Sequence, residues 1–249
     1  MKALITAAGQ GSRSGLDGRM RKEMLPIYTV RDGRIVLRPV LDCVIYGFLK
    51  EGIKEIYLVL DWEDKFTREY IDREYPDVTI IYQGERRGFG RAVLLGKDYI
   101  GQESFILNAG DGIVLDPEHI KSVRRRMDRN PDMNILTLMQ VDNPQRYGVA
   151  TVKIAGKDIR VTKVVEKPSA PESNYAMCAF YALVPEIFDY LTDQRSEEVE
   201  LTPAIQGTIE SGKETTALLV DKKDWISVGL ATEYINILRR SLERCGTSE

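Results

Sequence analysis

The residues of this chain whose types and spacing suggest chemistry lie near its beginning. An apolar run from Ala3 to Ala8 leads into Gly-Gln-Gly-Ser-Arg at 9–13, and Lys-Glu-Met-Leu-Pro follows at 22–26. Glycines at the end of a buried strand let backbone N–H groups turn toward an anion, and Arg13 and Lys22 add positive charge on either side. This layout predicts a loop that binds the phosphates of a nucleoside triphosphate. The alternative is a plain surface connection, which is common for glycine-rich stretches between a strand and a helix.

Two familiar phosphate-binding motifs do not describe this loop. The Walker loop needs Gly-x-x-x-x-Gly-Lys followed by Ser or Thr, and no such run occurs in the chain. The dinucleotide fingerprint needs a third glycine, but Ser14 stands at that position and no clear ribose-binding acid follows at the expected place. The missing third glycine and the missing ribose-binding acid disfavour a nicotinamide-dependent enzyme.

Composition indicates an ordinary globular protein. The 249 residues are 43% hydrophobic and 29% charged, which suits one compact unit with a sizeable core. The net charge of -3, with both signs interspersed, disfavours a nucleic-acid partner. The strongest basic cluster, 124–126, falls in a predicted amphipathic helix and is typical of a solvated face.

Cysteine usage and hydropathy bear on the compartment. The three cysteines are widely spaced, which indicates neither a disulfide framework nor a metal cluster and favours a reducing environment. The first apolar run ends at Gly9, too short for a signal peptide, and no segment approaches the ~20 apolar residues of a membrane span. We therefore expect a cytoplasmic protein with no membrane partner.

The elements that must position these residues alternate between strand and helix in the first half of the chain. Apolar periodicity predicts strands at 3–8, 54–60, 78–83, 104–108 and 133–141 and helices at 38–52, 64–75, 88–99 and 117–128. This alternation indicates a parallel sheet with helices on both faces. Ligands of such sheets bind at the carboxyl ends of strands, so Gly9, Gln83 and Asp111 are expected to meet in one site.

The second half is richer in strands. Runs at 147–154, 159–166 and 175–184 lack intervening helices and predict antiparallel strands that edge or cap the first sheet. Helices near Pro185 and Leu201, a strand at 215–220 and a helix at 231–244 complete the chain. The segment 29–36 is predicted to form a β-hairpin that turns at Asp32-Gly33. The predicted fold class is α/β: a Rossmann-like mixed sheet flanked by helices, in a single domain spanning 1–249.

Several short motifs occur in a fixed order along the chain. They are Gly-Gln-Gly-Ser-Arg at 9–13, Lys-Glu-Met-Leu-Pro-Ile at 22–27, Gln83, Gly-Phe-Gly-Arg-Ala at 88–92, Gly-Asp at 110–111, Arg-Tyr-Gly-Val at 146–149, Val-Glu-Lys-Pro at 165–168, Glu-Leu-Thr at 200–202 and Trp-Ile-Ser-Val-Gly at 225–229. In their order and spacing they resemble the sugar-phosphate nucleotidyltransferase family, over almost the whole chain. The closest likeness is to UTP–glucose-1-phosphate uridylyltransferases and glucose-1-phosphate thymidylyltransferases.

The resemblance implies a fold and an activity. The fold would be that of the nucleotide-diphospho-sugar transferases, with a nucleotide-binding half at about 1–141 and a sugar-binding half at 142–249. The partners would be a nucleoside triphosphate, with UTP or dTTP favoured, and a sugar 1-phosphate; a homo-oligomer is left open. The attacking phosphate is already an anion, so the protein's tasks are alignment and charge neutralisation rather than general base catalysis.

The resemblance also assigns roles to residues. The implied catalytic residues are Arg13, Lys22, Asp111 and Lys167. The implied nucleotide-binding residues are Ala8, Gly9, Gly11, Ser12, Arg13, Gln83 and Gly88, and the implied sugar-binding residues are Gly148, Glu166, Lys167 and Asn174. The Gln83 amide would read a pyrimidine through its paired donor and acceptor. Without the family context, these charged and glycine residues would be typical of solvated surfaces and turns.

The expected cofactor is Mg²⁺, with Asp111 as a ligand. The chain departs from the family pattern at Ser227, where an aspartate normally supplies a second metal-binding carboxylate. A neutral hydroxyl is a poor replacement, and Asp224 or Asp221 are the nearby acids that would have to compensate. Strand alternation points Asp224 to the opposite face from Ser227. The departure leaves open a second function, a catalytically weak homologue that binds a sugar nucleotide and regulates.

Overall fold

The fold is a mixed sheet with helices on both faces, seen in a computed structural model that describes residues 1–9, 16, 20–84, 87–192 and 197–246. The strands are β1 (Lys2–Thr6), β2 (Pro26–Arg31), β3 (Arg34–Pro39), β4 (Glu55–Asp61), β5 (Thr79–Gln83), β6 (Phe105–Ala109), β7 (Gly112–Val114), β8 (Met133–Gln140), β9 (Gly148–Ala155), β10 (Asp158–Glu166), β11 (Tyr175–Leu183), β12 (Glu214–Leu219) and β13 (Trp225–Ser227). The helices are α1 (Val40–Lys50), α2 (Lys65–Glu74), α3 (Phe89–Leu94), α4 (Lys97–Ile100), α5 (Pro117–Arg129), α6 (Ile187–Thr192), α7 (Leu201–Glu210) and α8 (Tyr234–Gly246).

Nine of the described strands form the main sheet, in the order β5-β4-β1-β6-β11-β8-β12-β10-β9. The first four are parallel, as the alternating pattern predicts. The predicted α/β fold class, a Rossmann-like mixed sheet flanked by helices, is confirmed. One sheet runs through both halves of the chain, and the division into a nucleotide half and a sugar half stays a prediction.

The position of β11 corrects one expectation. The β-rich second half is expected to edge or cap the first sheet, but β11 lies inside it and pairs antiparallel with both β6 and β8. Strands β9 and β10 do lie at the edge, where β9 also pairs with two residues of β11. The insertion explains why β11 is buried along most of its length: it has neighbours on both sides and helices on both faces.

The core has a layer on each face of the sheet. Neighbouring residues Leu4 and Ile5 of β1 are both fully buried but belong to different layers, because successive side chains of a strand point to opposite faces. One layer includes Phe48 of α1, and the other includes Phe188 of α6. Burial on both faces fixes the register of β1 and therefore where its carboxyl end lies.

Two helix predictions need correction, and one small sheet is missed. The helix predicted at 38–52 begins at Val40, because Arg38 and Pro39 complete β3 of the hairpin. The helix predicted at 88–99 is two helices, α3 and α4, separated at Gly96, whose backbone packs so close that an added Cβ would lie 2.6 Å from Leu4. The two-stranded sheet of β7 and β13 is not predicted, because three-residue strands carry little periodicity.

The predicted hairpin is confirmed. Strands β2 and β3 pair antiparallel, and Asp32 and Gly33 in the turn have φ values of 50° and 73°. Two consecutive positive φ values are typical of a type I′ turn, which favours Asp-Gly. Among the described residues no helix is both long and apolar enough to cross a membrane.

Candidate active site at the carboxyl ends of β1, β5 and β6

A cleft of about 440 Å³ lies where β1, β5 and β6 end. Six of the residues predicted to bind or act on the nucleotide line it: Ala8, Gly9, Lys22, Gln83, Gly88 and Asp111. Three others, Gly11, Ser12 and Arg13, lie outside the described residues. The expectation that three strand ends would converge is met in the geometry, while the role of each residue stays a prediction.

Lys22 and Asp111 form an ion pair in this cleft, although 89 positions separate them in sequence. Lys22 opens a one-turn 3₁₀ helix, Lys22–Met24, and its Nζ donates to Asp111 Oδ2. Both side chains remain partly exposed to the cleft, at 20% and 18%. The pair can separate when ligands arrive, because an incoming cation would compete for the carboxylate and an incoming phosphate for the ammonium.

Asn108 shapes the turn that carries Asp111. It is buried at the penultimate position of β6, and its Nδ2 donates to the backbone oxygens of Ala109 at 2.7 Å and Gly112 at 2.9 Å. The N–H of Gly110 also donates to the Thr6 oxygen at 2.9 Å, which ties the turn to the end of β1. Sequence reasoning missed Asn108, for which the only signal is an amide two positions before Gly-Asp-Gly at 110–112.

Glu23 is a buried acid in the cleft wall, with 2% of its surface exposed. Its Oε1 lies 3.8 Å from where a Cβ on Gly9 would stand, and its Oε2 has no hydrogen-bond partner among the described residues. Burial, and then the negative charge of Asp111, raises the pKa of Glu23 from 4.5 to about 8. Sequence reasoning named its neighbour Lys22 and passed over Glu23.

Gln83 and Gly88 also line the cleft. Gln83 ends β5 with 4% of its surface exposed, so its amide is held within the wall rather than in solvent. Gly88 has φ of 86°, and an added Cβ would lie 2.5 Å from the Val199 oxygen, so only glycine fits there. The N–H of Gly90 donates to the same oxygen at 2.8 Å. The chain around Val199 therefore packs directly on the start of α3.

A second group of predicted residues meets at the ends of β9 and β10. Gly148 stands opposite Glu166 in the β9–β10 pair, and Glu166 receives a hydrogen bond from Thr202 Oγ1 at 2.6 Å. Lys167 Nζ lies 2.8 Å from the other carboxylate oxygen of Glu166. Lys167 has φ of 41°, a left-handed conformation that is costly for a residue with a side chain. Its N–H donates to the Tyr147 oxygen at 3.0 Å.

Two members of this neighbourhood differ from the prediction. Thr202, in the first turn of α7, is the Glu166 partner that sequence reasoning did not single out, although it lies in the Glu-Leu-Thr motif. Asn174 is exposed just before β11, and its backbone oxygen accepts from Val141 N at 3.0 Å. The described residues show no side-chain contact from Asn174 to Glu166 or Lys167, so its sugar-binding role stays a prediction without support from the geometry.

Ser227 lies beside Asp111, at the end of the β7–β13 pair. It stands opposite Gly112, and the next N–H, of Val228, donates to the Asp111 backbone oxygen at 2.9 Å. Asp224 lies at the far end of this pair, where its backbone oxygen accepts from Leu115 N at 2.7 Å. Its carboxylate is 3.4 Å from Arg244. Asp224 is therefore committed elsewhere and does not replace the missing carboxylate.

The Asp111 carboxylate and the neighbouring Ser227 hydroxyl present oxygen atoms that suit a magnesium ion. Mg²⁺ prefers oxygen ligands and usually binds through one or two carboxylates together with phosphate oxygens and water. Within the described ranges, no group of three or more His, Cys, Asp or Glu side chains could hold a metal. A metal at Asp111 would therefore depend on the bound nucleotide for most of its ligands.

The sheet order and the cleft at its strand ends define an α/β protein with the nucleotide-diphospho-sugar transferase fold. A family model described as nucleotidyl transferase matches residues 2–244. The chain belongs to the nucleotidyl transferase family.

Individual relatives agree with this assignment. A UTP–glucose-1-phosphate uridylyltransferase of Haloferax volcanii is 30% identical over 227 residues, which cover 89% of this chain and 88% of that protein. A low-salt glycan biosynthesis nucleotidyltransferase of the same organism is 27% identical over 85% of this chain. That alignment covers only 58% of the relative, so this chain spans under two thirds of its length. A solved UDP-glucose pyrophosphorylase in complex with UDP-glucose shares the fold, with a TM-score of 0.82, 22% identity and 98% of each chain covered.

Proposed function

We propose that this protein transfers a nucleotidyl group from a nucleoside triphosphate to a sugar 1-phosphate, giving a sugar nucleotide and pyrophosphate. UTP or dTTP is the favoured donor. The observation that carries the proposal is the Lys22–Asp111 pair in a cleft with Gly9, Gln83 and Gly88. The family assignment, and the uridylyltransferase and thymidylyltransferase names of relatives, support the same reaction.

For this reaction the protein has to position the two substrates and neutralise the charge of their phosphates. An oxygen of the sugar phosphate attacks the α-phosphorus of the triphosphate, and the bond from that phosphorus to the bridging oxygen breaks as pyrophosphate leaves. Neither step moves a proton, so no general base is needed. Lys22 would release Asp111 and turn its ammonium to the phosphates. Mg²⁺ bound at Asp111 would neutralise phosphate charge.

The second group of residues would hold the sugar phosphate. Glu166 would accept hydrogen bonds from sugar hydroxyls, because its carboxylate is held in place by Thr202 and Lys167. Gly148 leaves room beside that carboxylate. Lys167, held on a left-handed backbone, would direct its ammonium to the phosphate once the nucleotide is bound. Such positioning lowers the barrier by removing orientational freedom before reaction.

A second candidate function rests on Ser227 alone. With a hydroxyl beside Asp111 in place of a carboxylate, the protein would bind a sugar nucleotide but turn over poorly, as a regulatory homologue. The two readings separate in one assay. Binding of UDP-sugars or dTDP-sugars without pyrophosphate release favours the regulatory homologue, and turnover favours the enzyme.

The test measures pyrophosphate release with Mg²⁺ over a panel of nucleoside triphosphates and sugar 1-phosphates. Lys22→Ala and Asp111→Ala are each expected to lower kcat about 10²-fold or more, because each removes a charge that acts on the phosphates. The matched control is the exposed ion pair of Lys121 and Glu118 on α5, whose alanine variants should keep full activity. Near-normal turnover in both Lys22→Ala and Asp111→Ala would refute the proposal.

A further inference from the structure

The cleft contains an acidic side chain that the proposed reaction does not yet use. Glu23 is more than nine-tenths buried and lines the same cleft as Lys22 and Asp111. Its Oε2 has no hydrogen-bond partner among the described residues. A buried carboxyl oxygen without a partner costs stability, so proteins rarely keep one unless a ligand completes it. The chemistry of the neighbouring groups decides which ligand would do so.

The charges around Glu23 indicate a cation. Glu23 and Asp111 line the same cleft, where two negative charges would repel each other. The Lys22 ammonium is bound to Asp111 and is a positive charge that also attracts Glu23. When Lys22 turns to the phosphates of a nucleotide, both carboxylates lose this compensation. A divalent cation arriving with the nucleotide would restore it.

Other acids near Asp111 are less suited to share such a cation. Asp224 is at the far end of the β7–β13 pair and lies 3.4 Å from Arg244. Glu198 also lines the cleft but is exposed to solvent, where a carboxylate holds a cation weakly. Ser227 is beside Asp111 but brings no charge. Glu23 is the acid that combines burial, an unsatisfied oxygen and electrostatic contact with Asp111.

We propose that Glu23 is the second carboxylate of the Mg²⁺ site, which it forms together with Asp111 in the cleft that both line. The inference rests on the proposed function, since it assumes that a nucleotide draws Lys22 away. It explains how a chain with serine at 227 keeps two carboxylates for its metal. The remaining ligands are phosphate oxygens and water, in keeping with the usual Mg²⁺ coordination.

The test uses Mn²⁺ as a paramagnetic substitute for Mg²⁺, titrated into the full chain and followed by electron paramagnetic resonance with and without UTP. Glu23→Gln keeps the size of the side chain and removes its charge. It is expected to weaken Mn²⁺ binding about tenfold or more, within the range seen when a residue supporting a metal is lost. Asp224→Asn is the matched control and should leave the affinity unchanged. Thermal unfolding without metal shows whether each variant is folded.

A rescue variant separates a metal ligand from a residue that merely supports the fold. Ser227→Asp added to Glu23→Gln places a carboxylate beside Asp111 again and should recover most of the lost Mn²⁺ affinity. Unchanged affinity in Glu23→Gln, or a loss that Ser227→Asp does not recover, overturns the inference. Pyrophosphate release by the unmodified protein is scored separately. If the unmodified protein releases pyrophosphate but Glu23→Gln leaves the Mn²⁺ affinity unchanged, this inference alone is refuted. If the unmodified protein is inactive but Glu23→Gln weakens Mn²⁺ binding, the proposed function alone is refuted.

Discussion

Gly148 is the residue whose missing side chain matters most to the proposed sugar site. A Cβ added to it would lie 3.1 Å from Glu166 Oε2 and 3.1 Å from Thr202 Oγ1, the two atoms joined by the 2.6 Å hydrogen bond. At this distance each neighbour has to move by a few tenths of an ångström to admit the methyl group, and both are tied to other groups, Glu166 also to Lys167. The space beside the carboxylate therefore depends on glycine.

Gly148→Ala is expected to raise the KM for sugar 1-phosphate about tenfold or more and to leave the KM for the nucleoside triphosphate within twofold. The added methyl displaces Glu166, and small displacements of a positioning group are costly. Steady-state kinetics with each substrate varied in turn give the two constants. Gly246→Ala, at a position with no neighbour within 4 Å of the new Cβ, is the control. Equal changes in both KM values would show that Gly148 does not act on the sugar.

Residues within local motifs could be predicted from the sequence, and residues that act through distant contacts could not. Lys22 and Asp111 belong to short motifs with a recognisable spacing, and the fold brings them together. Glu23 sits in the same motif as Lys22, but its burial follows from how the surrounding elements pack. Thr202 reaches Glu166 across 36 positions of sequence, a contact that no local pattern contains.

At the scale of elements, a polar network joins the β2–β3 hairpin to α1 and α2. Asp42 of α1 is buried and accepts hydrogen bonds from the Tyr70 and Tyr75 hydroxyls, at 2.8 and 2.7 Å. Arg31 of β2 donates to the same carboxylate at 2.5 Å, and its guanidinium stacks over Tyr46. The hairpin follows directly after the helix that carries Lys22, so this network fixes one side of the cleft.

Asp42→Asn is expected to lower the free energy of unfolding by about 3 kcal/mol, because it leaves the partly buried Arg31 charge without the carboxylate that pairs with it. Tyr75→Phe should cost less, about 1 kcal/mol, as it removes one hydrogen bond. Urea unfolding followed by circular dichroism measures both. The control is Asp72→Asn, which removes an exposed partner of Arg68 on α2 and should cost under about 0.5 kcal/mol. A loss in Asp42→Asn no larger than in this control would contradict the structural role of the network.

The predictions of helices and strands are correct where the periodicity of apolar residues alone determines the element. They are wrong where packing against distant parts of the chain determines it. The hairpin and the first parallel strands follow from turn chemistry and apolar runs. The central position of β11 in the sheet could not be predicted, because the apolar pattern of a strand does not indicate which strands it pairs with. The break between α3 and α4 comes from the close approach of Gly96 to Leu4. These residues are 92 positions apart in sequence, so only the folded chain brings them together.

At the scale of the whole molecule, the single histidine of the chain lies inside the core. His119 of α5 is 5% exposed, its Nε2 lies 2.8 Å from Thr137 Oγ1 of β8, and its ring meets Phe180 of β11 edge-on at 5.1 Å. Burial lowers the pKa of His119 from 6.5 to about 4, and the charge of Asp116 opposes this only in part. The folded protein therefore holds a neutral imidazole at pH values where the unfolded chain holds an imidazolium.

The contribution of His119 to the stability of the fold should consequently fall in mild acid. The folded pKa of His119 is lower than the unfolded value, so its contribution is complete above pH 6.5 and is lost as pH falls from 6.5 toward 4. The loss attributable to this group between pH 7 and 4.5 is roughly 2 kcal/mol. Glu23, whose pKa is raised to about 8, changes the stability with the opposite sign as pH falls. The comparison is therefore with His119→Gln, which keeps a polar group near Thr137, cannot take up a proton and leaves Glu23 in place. Urea unfolding of both proteins from pH 7 to 4.5 should show the unmodified protein losing about 2 kcal/mol more than the variant. A difference between the two that stays constant with pH would mean that His119 is protonated in the folded core as readily as in the unfolded chain.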